Sequence, residues 1–133
     1  MCIDRIVAGI HFSQAARIAA ADGGLSVRVL NMHTIKPIDK EAVLSAIADT
    51  RRIITVEDHE VMGGLGSAVA EVVASSGKAC AFRMLGHQDS FSTIGLQEDL
   101  LAMAKIDANG IAETIQEMMH ADFEADDAWD DEF

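Results

Sequence analysis

Positions 57–60 bring together Glu57, Asp58, His59 and Glu60, and Gly63, Gly64, Gly66 and Ser67 follow directly. Carboxylates beside an imidazole hold the groups needed for general acid–base chemistry or for a metal site. No second histidine follows at the helical spacing of a hydrolytic zinc site, and three protein ligands are not assembled locally. The same groups make an interfacial hydrogen-bond cluster, and that is the reading the residues favour. The glycines sit just before a stretch with helical spacing, where free backbone N–H groups can cradle an anion. The third glycine of the dinucleotide fingerprint and the lysine of a phosphate loop are both missing, so glycines that permit a tight turn and close helix-to-sheet packing are the favoured account of the pattern. His33 lies in a second polar segment, residues 31–39, which reads Asn-Met-His-Thr-Ile-Lys-Pro-Ile-Asp. A lone histidine in a polar loop is more often a satisfied structural group than a base. Ser13 and Ser67 are nucleophiles by residue type only, since neither has the Gly-x-Ser-x-Gly setting that exposes a hydroxyl; both read as helix-start residues. His11, His87 and His120 add no further constellation. No catalytic, cofactor-binding or metal-binding residue is assigned on this chain. The candidate surface, a domain or subunit interface or an anion loop, is His33, Glu57, Asp58, His59, Gly63, Gly64, Gly66 and Ser67.

The elements that position these groups follow from apolar periodicity. Residues 3–8, 26–30, 52–56 and 79–85 are short apolar or β-branched runs of strand type. Residues 12–22, 40–48, 65–75 and 111–119 carry apolar side chains at helical spacing, as in Ala42, Val43, Ala46 and Ile47. Val69, Val72 and Val73 form such a stripe in the third helix. Asp39 is placed to cap the second helix and Asp107 the last. Residues 97–104 read as a short helix, and 91–95 as a loop. Strand and helix alternate, which predicts an α/β fold of three layers: a mostly parallel sheet of about five strands with helices on both faces. These two candidate segments and a weaker third, residues 83–100, each follow the carboxyl end of a strand, the edge where ligands and partners meet such sheets.

The chain has 133 residues, half of them apolar, enough to bury the core of one domain. Cys2 and Cys80 stand apart without metal-ligand spacing, which fits a reducing compartment. No leader follows Met1 and no apolar run approaches a membrane span, so a soluble, cytoplasmic protein is expected. Net charge is −12, of which residues 122–133 supply seven acidic charges and no basic one, leaving −5 for residues 1–121. That sign repels phosphate backbones and disfavours nucleic-acid partners. Residues 1–121 read as the domain and 122–133 as an acidic, flexible tail carrying Phe123, Trp129 and Phe133.

The segment 31–39, the Val-Glu-Asp-His of 56–59 and the Gly-Gly-Leu-Gly-Ser-Ala-Val-Ala-Glu of 63–71 together resemble the C-terminal (third) domain of the transketolase family. The resemblance runs over most of residues 3–119. Ala8-Gly9 looks like the family's first strand-to-helix turn and 91–100 like the loop before its penultimate helix, departing from the usual pattern at Ile94 and Leu96. The wording at 32–37 is most similar to split transketolases. Related domains occur in 1-deoxyxylulose-5-phosphate synthase and in the beta subunits of 2-oxo acid dehydrogenases. The resemblance implies a structural, dimer-supporting domain of a transferase that moves a two-carbon ketol unit between sugar phosphates. It implies as partners the pyrimidine- and diphosphate-binding domains of the same enzyme, and a homodimer. Thiamine diphosphate and magnesium would serve the intact enzyme, with none held by this chain alone, because the family's Gly-Asp-Gly diphosphate motif has no match here. Since the family's domain begins near Asp4, the chain reads as a piece cut at a linker, inactive by itself. Two other readings stand beside this one: a free-standing nucleotide-binding module using the glycine-rich helix start, and a natural subunit that joins a separate catalytic chain.

Overall fold

A computed structural model describes residues 2–6 and 10–120; the Ala8-Gly9 turn and the acidic tail lie outside the described residues. Five helices and four strands alternate through most of the chain: β1 Cys2–Ile6, α1 Ile10–Gly23, β2 Ser26–Leu30, α2 Lys40–Thr50, β3 Arg52–Glu60, α3 Leu65–Ser76, β4 Ala81–His87, α4 Gln97–Met103 and α5 Ala108–His120. The strands form one sheet in the order β2-β1-β3-β4, and every pairing is parallel. The α/β layering is as expected, with four strands among the described residues rather than about five.

β1 begins one residue before its apolar run, whose end lies outside the described residues, and two strands differ more from theirs. β3 continues four residues past Val56, and β4 runs from 81 to 87 rather than from 79 to 85. Pairing explains both. Val56 sits opposite Leu85 and Glu60 opposite His87, with an irregularity between them, so backbone hydrogen bonding to β4 holds a polar stretch in the sheet that periodicity would end. Glu57, Asp58 and His59 are therefore strand residues.

Local signals set the helix ends. The Asp39 carboxylate accepts from the Ala42 N–H at 3.0 Å, and Asp107 accepts from Gly110 N–H at 3.1 Å, each meeting a donor the helix cannot satisfy itself. α2 closes on Arg51 in the left-handed conformation (φ 54°), and α3 closes on Gly77 (φ 62°).

The helices form two packed pairs, α2 with α3 and α1 with α5. Ile53 and Ile54, neighbours on β3, are both fully buried, as a strand covered on both faces requires. Val43 and Ile47 of α2, Val69 of α3, and Ile111 and Ile115 of α5 complete the core, while Ala15 and Ala19 bury the inner side of α1. Burial of each large aliphatic side chain stabilises the fold by about 1.5–3 kcal/mol. The chain leaves β1 toward β2 on one side and returns past it to β3 and β4 on the other, so the sheet's topological switch falls between β1 and β3. β3 thus carries Glu57 to the carboxyl edge beside that switch.

Candidate functional site

Glu57 is the centre of the cluster. Its side chain is only 3% exposed. One carboxylate oxygen accepts from Leu65 N–H at 2.6 Å and the other from Gly66 N–H at 3.0 Å. These are the first N–H groups of α3, which lack partners within the helix and carry the positive end of its dipole. A bidentate, charge-assisted interaction of this kind is among the stronger hydrogen-bond types. The anion at this glycine-rich helix start is the chain's own carboxylate. The free backbone donors of the helix start are taken up by Glu57 itself.

The glycines allow that approach. A Cβ on Gly64 would run into the Glu57 carboxylate and the His59 ring, and one on Gly66 would sit 2.6 Å from Met84 Sδ and 3.0 Å from Glu57 Oε1. Gly63 has φ 78°, a conformation that favours glycine. Its N–H donates to Ser67 Oγ at 2.8 Å, and the Ser67 hydroxyl donates to the Val61 carbonyl at 3.3 Å. Ser67 thereby laces the turn between β3 and α3, and its proton is directed at a carbonyl rather than at a base.

His59 is half exposed. Its Nε2 lies 3.3 Å from Glu57 Oε2, and its Nδ1 donates to the Glu60 carbonyl at 2.9 Å. It forms the solvent-facing rim over the buried carboxylate. Asp58 points elsewhere, as strand alternation requires: it is exposed and meets His87 Nε2 of β4 at 3.3 Å. His33 is exposed after β2, with its Nδ1 2.7 Å from Thr34 Oγ1, and β1 separates its strand from β3. The fold thus assembles Glu57, His59, Gly63, Gly64, Gly66 and Ser67, sets Asp58 on the β4 side and leaves His33 apart.

Gly86, Met84 and Leu65 belong to the same construction and were not singled out by residue type. A Cβ on Gly86 would stand 2.9 Å from the His59 carbonyl and 3.0 Å from that of Glu57. This glycine lets β4 run against the irregular end of β3. Its only signal in the sequence is a glycine inside a strand-like run, which marks a close backbone approach.

With each oxygen accepting from a backbone N–H and the side chain buried, Glu57 is held as a structural acceptor rather than presented to a substrate or metal. Among the described residues no group of three His, Cys, Asp or Glu side chains could hold a metal ion. No helix described is long and apolar enough to cross a membrane. Cys80 is half-buried, and burial pushes its thiol up from its ordinary range against the opposing effects of a backbone hydrogen bond from Ile53 and the charge of Arg51. What the cluster does is hold the start of α3 against β3, presenting His59, Met62 and Gly63 at the surface.

Residues 8–111 match the family model described as the transketolase C-terminal domain. The chain is 40% identical over 98 residues to a protein provisionally named a transketolase C-terminal section in Methanocaldococcus jannaschii, covering 74% of this chain and 30% of that protein. It is 40% identical over 113 residues to the 1-deoxy-D-xylulose-5-phosphate synthase of Ralstonia nicotianae, covering 85% of this chain and 18% of the synthase. Among solved structures, one titled split gene transketolase, inactive beta4 tetramer, superposes with a TM-score of 0.74 at 31% identity, covering 87% of this chain and 38% of that one. The chain therefore spans less than two fifths of each of these relatives.

Proposed function

The chain belongs to the transketolase C-terminal domain family, and from that footing we propose that it is the supporting domain of a thiamine-diphosphate-dependent transketolase-type enzyme. In this reading other domains bind the cofactor and transfer a two-carbon ketol unit between sugar phosphates, while this domain buttresses them and supports the dimer. The observation that carries it is the Glu57 clasp. The most site-like residues of the chain are spent on internal hydrogen bonds at the carboxyl edge of the sheet.

The described residues do not fit thiamine diphosphate or its magnesium. The N–H groups that would receive a diphosphate at the start of α3 already face a carboxylate, which would repel a second anion, and no ligand set for a divalent cation is assembled. The cofactor belongs to the missing partner domains. His59, Met62 and Gly63 then face the neighbouring domain or subunit. Their exposure in the isolated chain agrees with a surface that is covered on assembly.

A second reading is favoured by the match to the 1-deoxy-D-xylulose-5-phosphate synthases, which is as high in identity as the match to the transketolase section. The supporting role is then the same and the reaction differs. One experiment addresses both: size-resolved thiamine diphosphate binding and turnover by this chain alone and mixed with the missing catalytic section. The expected result is no binding or turnover alone and activity on mixing, with the product, a ketol-transfer sugar phosphate or 1-deoxyxylulose 5-phosphate, choosing between the two. Tight cofactor binding by the chain alone would overturn the supporting role.

A further inference from the structure

Below the loop that follows β4 lies a cleft of about 530 Å3, whose lining includes Arg83, Leu85, Phe91, Leu100, Met103 and Lys105. Two of its lining residues are exposed and apolar, Phe91 fully and Met103 at 70%, and Ile94 and Leu96 of the adjoining loop are exposed as well. Exposed apolar side chains gathered on one loop and cleft mark a docking site. No carboxylate is among the described residues that line it, while Arg83 and Lys105 are. Among the described residues Lys105 pairs with Glu113, at 3.8 Å with both side chains more than half exposed, a pair weak enough to exchange partners.

The chain itself contains a segment of complementary chemistry. Residues 122–133 combine seven acidic side chains with Phe123, Trp129 and Phe133 and carry no basic residue. Because residues 1–121 are themselves net acidic, such a segment is attracted only where cations are gathered beside apolar surface. α5 supplies the tether. It starts three residues after Lys105, and Arg52 Nε at the first residue of β3 donates to the Met118 carbonyl at 2.9 Å, so α5 ends at the opposite edge of the sheet from the cleft. Its 13 residues span about 20 Å. An extended chain covers about 3.3 Å per residue, so Trp129 reaches about 30 Å from His120 and Phe133 about 43 Å, whereas Phe123 reaches only about 10 Å. The groove lined by Ile35, Lys36, Ile38 and Lys40 also carries two lysines, but it lies against α2 and α3 and includes Glu71.

We propose that the acidic C-terminal segment folds back along α5 and seats Trp129 and Phe133 in this cleft, with its carboxylates meeting Arg83 and Lys105. Reach makes the assignment selective: Phe123 cannot take part. The docked segment covers the apolar side chains that the domain otherwise leaves to water.

Trp129 is the single tryptophan and the chain has no tyrosine, so indole fluorescence reports on this segment alone. The whole chain is expected to show blue-shifted emission and acrylamide quenching several-fold weaker than the same chain in denaturant, independent of protein concentration. Both features are lost in Arg83→Glu and in Met103→Glu, whose side chains are exposed and whose fold is checked by circular dichroism. They weaken in Phe133→Ala and survive Phe123→Ala. Fully solvated emission in the unaltered chain overturns the proposal, as does protection that survives both cleft variants. Protection that rises with protein concentration assigns the cleft to a second copy, and protection lost in a Lys36→Glu, Lys40→Glu variant assigns the segment to the other groove; either overturns it.

Discussion

Gly64 and Glu57 are coupled so closely that substitutions at the two positions should not add. Gly64→Ala places a methyl group into the Glu57 carboxylate and the His59 ring. Either the helix start or the carboxylate must shift, and overpacking of this kind costs about 2–3 kcal/mol. Glu57→Ala leaves the Leu65 and Gly66 N–H groups buried without their acceptors. At about 1–3 kcal/mol for each orphaned donor, the expected loss is about 3–5 kcal/mol. In the double variant the alanine methyl enters space that the carboxylate has vacated. Gly64→Ala then costs less than about 1 kcal/mol, the residue of a poorer cap. The coupling energy is therefore about 2 kcal/mol, well beyond the few tenths expected of independent sites. Urea unfolding of the four proteins measures it. A domain of this size has only about 5–15 kcal/mol to lose, so Glu57→Gln serves as the milder arm. It retains one acceptor oxygen and turns an amide donor toward an N–H, for a loss of about 2–3 kcal/mol. Additive free energies, or a Glu57→Ala loss below about 1 kcal/mol, would refute the clasp as the element that seats α3.

Gly86→Ala should destabilise by about 1–3 kcal/mol in the same assay, because its Cβ would press on two β3 carbonyls that lie in the sheet and cannot rotate away. Asp39→Ala and Asp107→Ala should each cost about 1 kcal/mol through loss of a helix cap and should add when combined, being on different helices. Asp49→Ala removes the acceptor of an exposed pair with Arg28 at 3.0 Å and should change stability by less than about 1 kcal/mol. In a Cys2→Ser background, the midpoint for Cys80 alkylation by iodoacetamide should lie at higher pH in the folded chain than in the urea-unfolded chain, since burial raises the folded thiol. With the folded pKa above the unfolded one, this contribution to stability is complete below the unfolded pKa and is lost as pH rises through the folded pKa. A folded midpoint at or below the unfolded one would contradict that assignment.

The apolar periods of this chain were enough to place the alternating strands and helices, because a strand buried between two helical layers must be apolar and an amphipathic helix must repeat its apolar face. Asp39 and Asp107 were legible as caps for the same local reason, and the three segments that carry the family likeness lie within the residues that the family model matches. The end of β3 was not legible. Glu57 to Glu60 read as a polar strand end, and only pairing with β4 keeps them in the sheet. The sequence favoured internal packing over an outside anion for the glycines at 63, 64 and 66, but did not say what they pack against. That depended on Glu57, eight and nine residues before the N–H groups it binds, turning inward between β3 and α3. Residue types named the donors and the acceptor; only the tertiary fold, by burying them together away from water, decided that they are partners of one another.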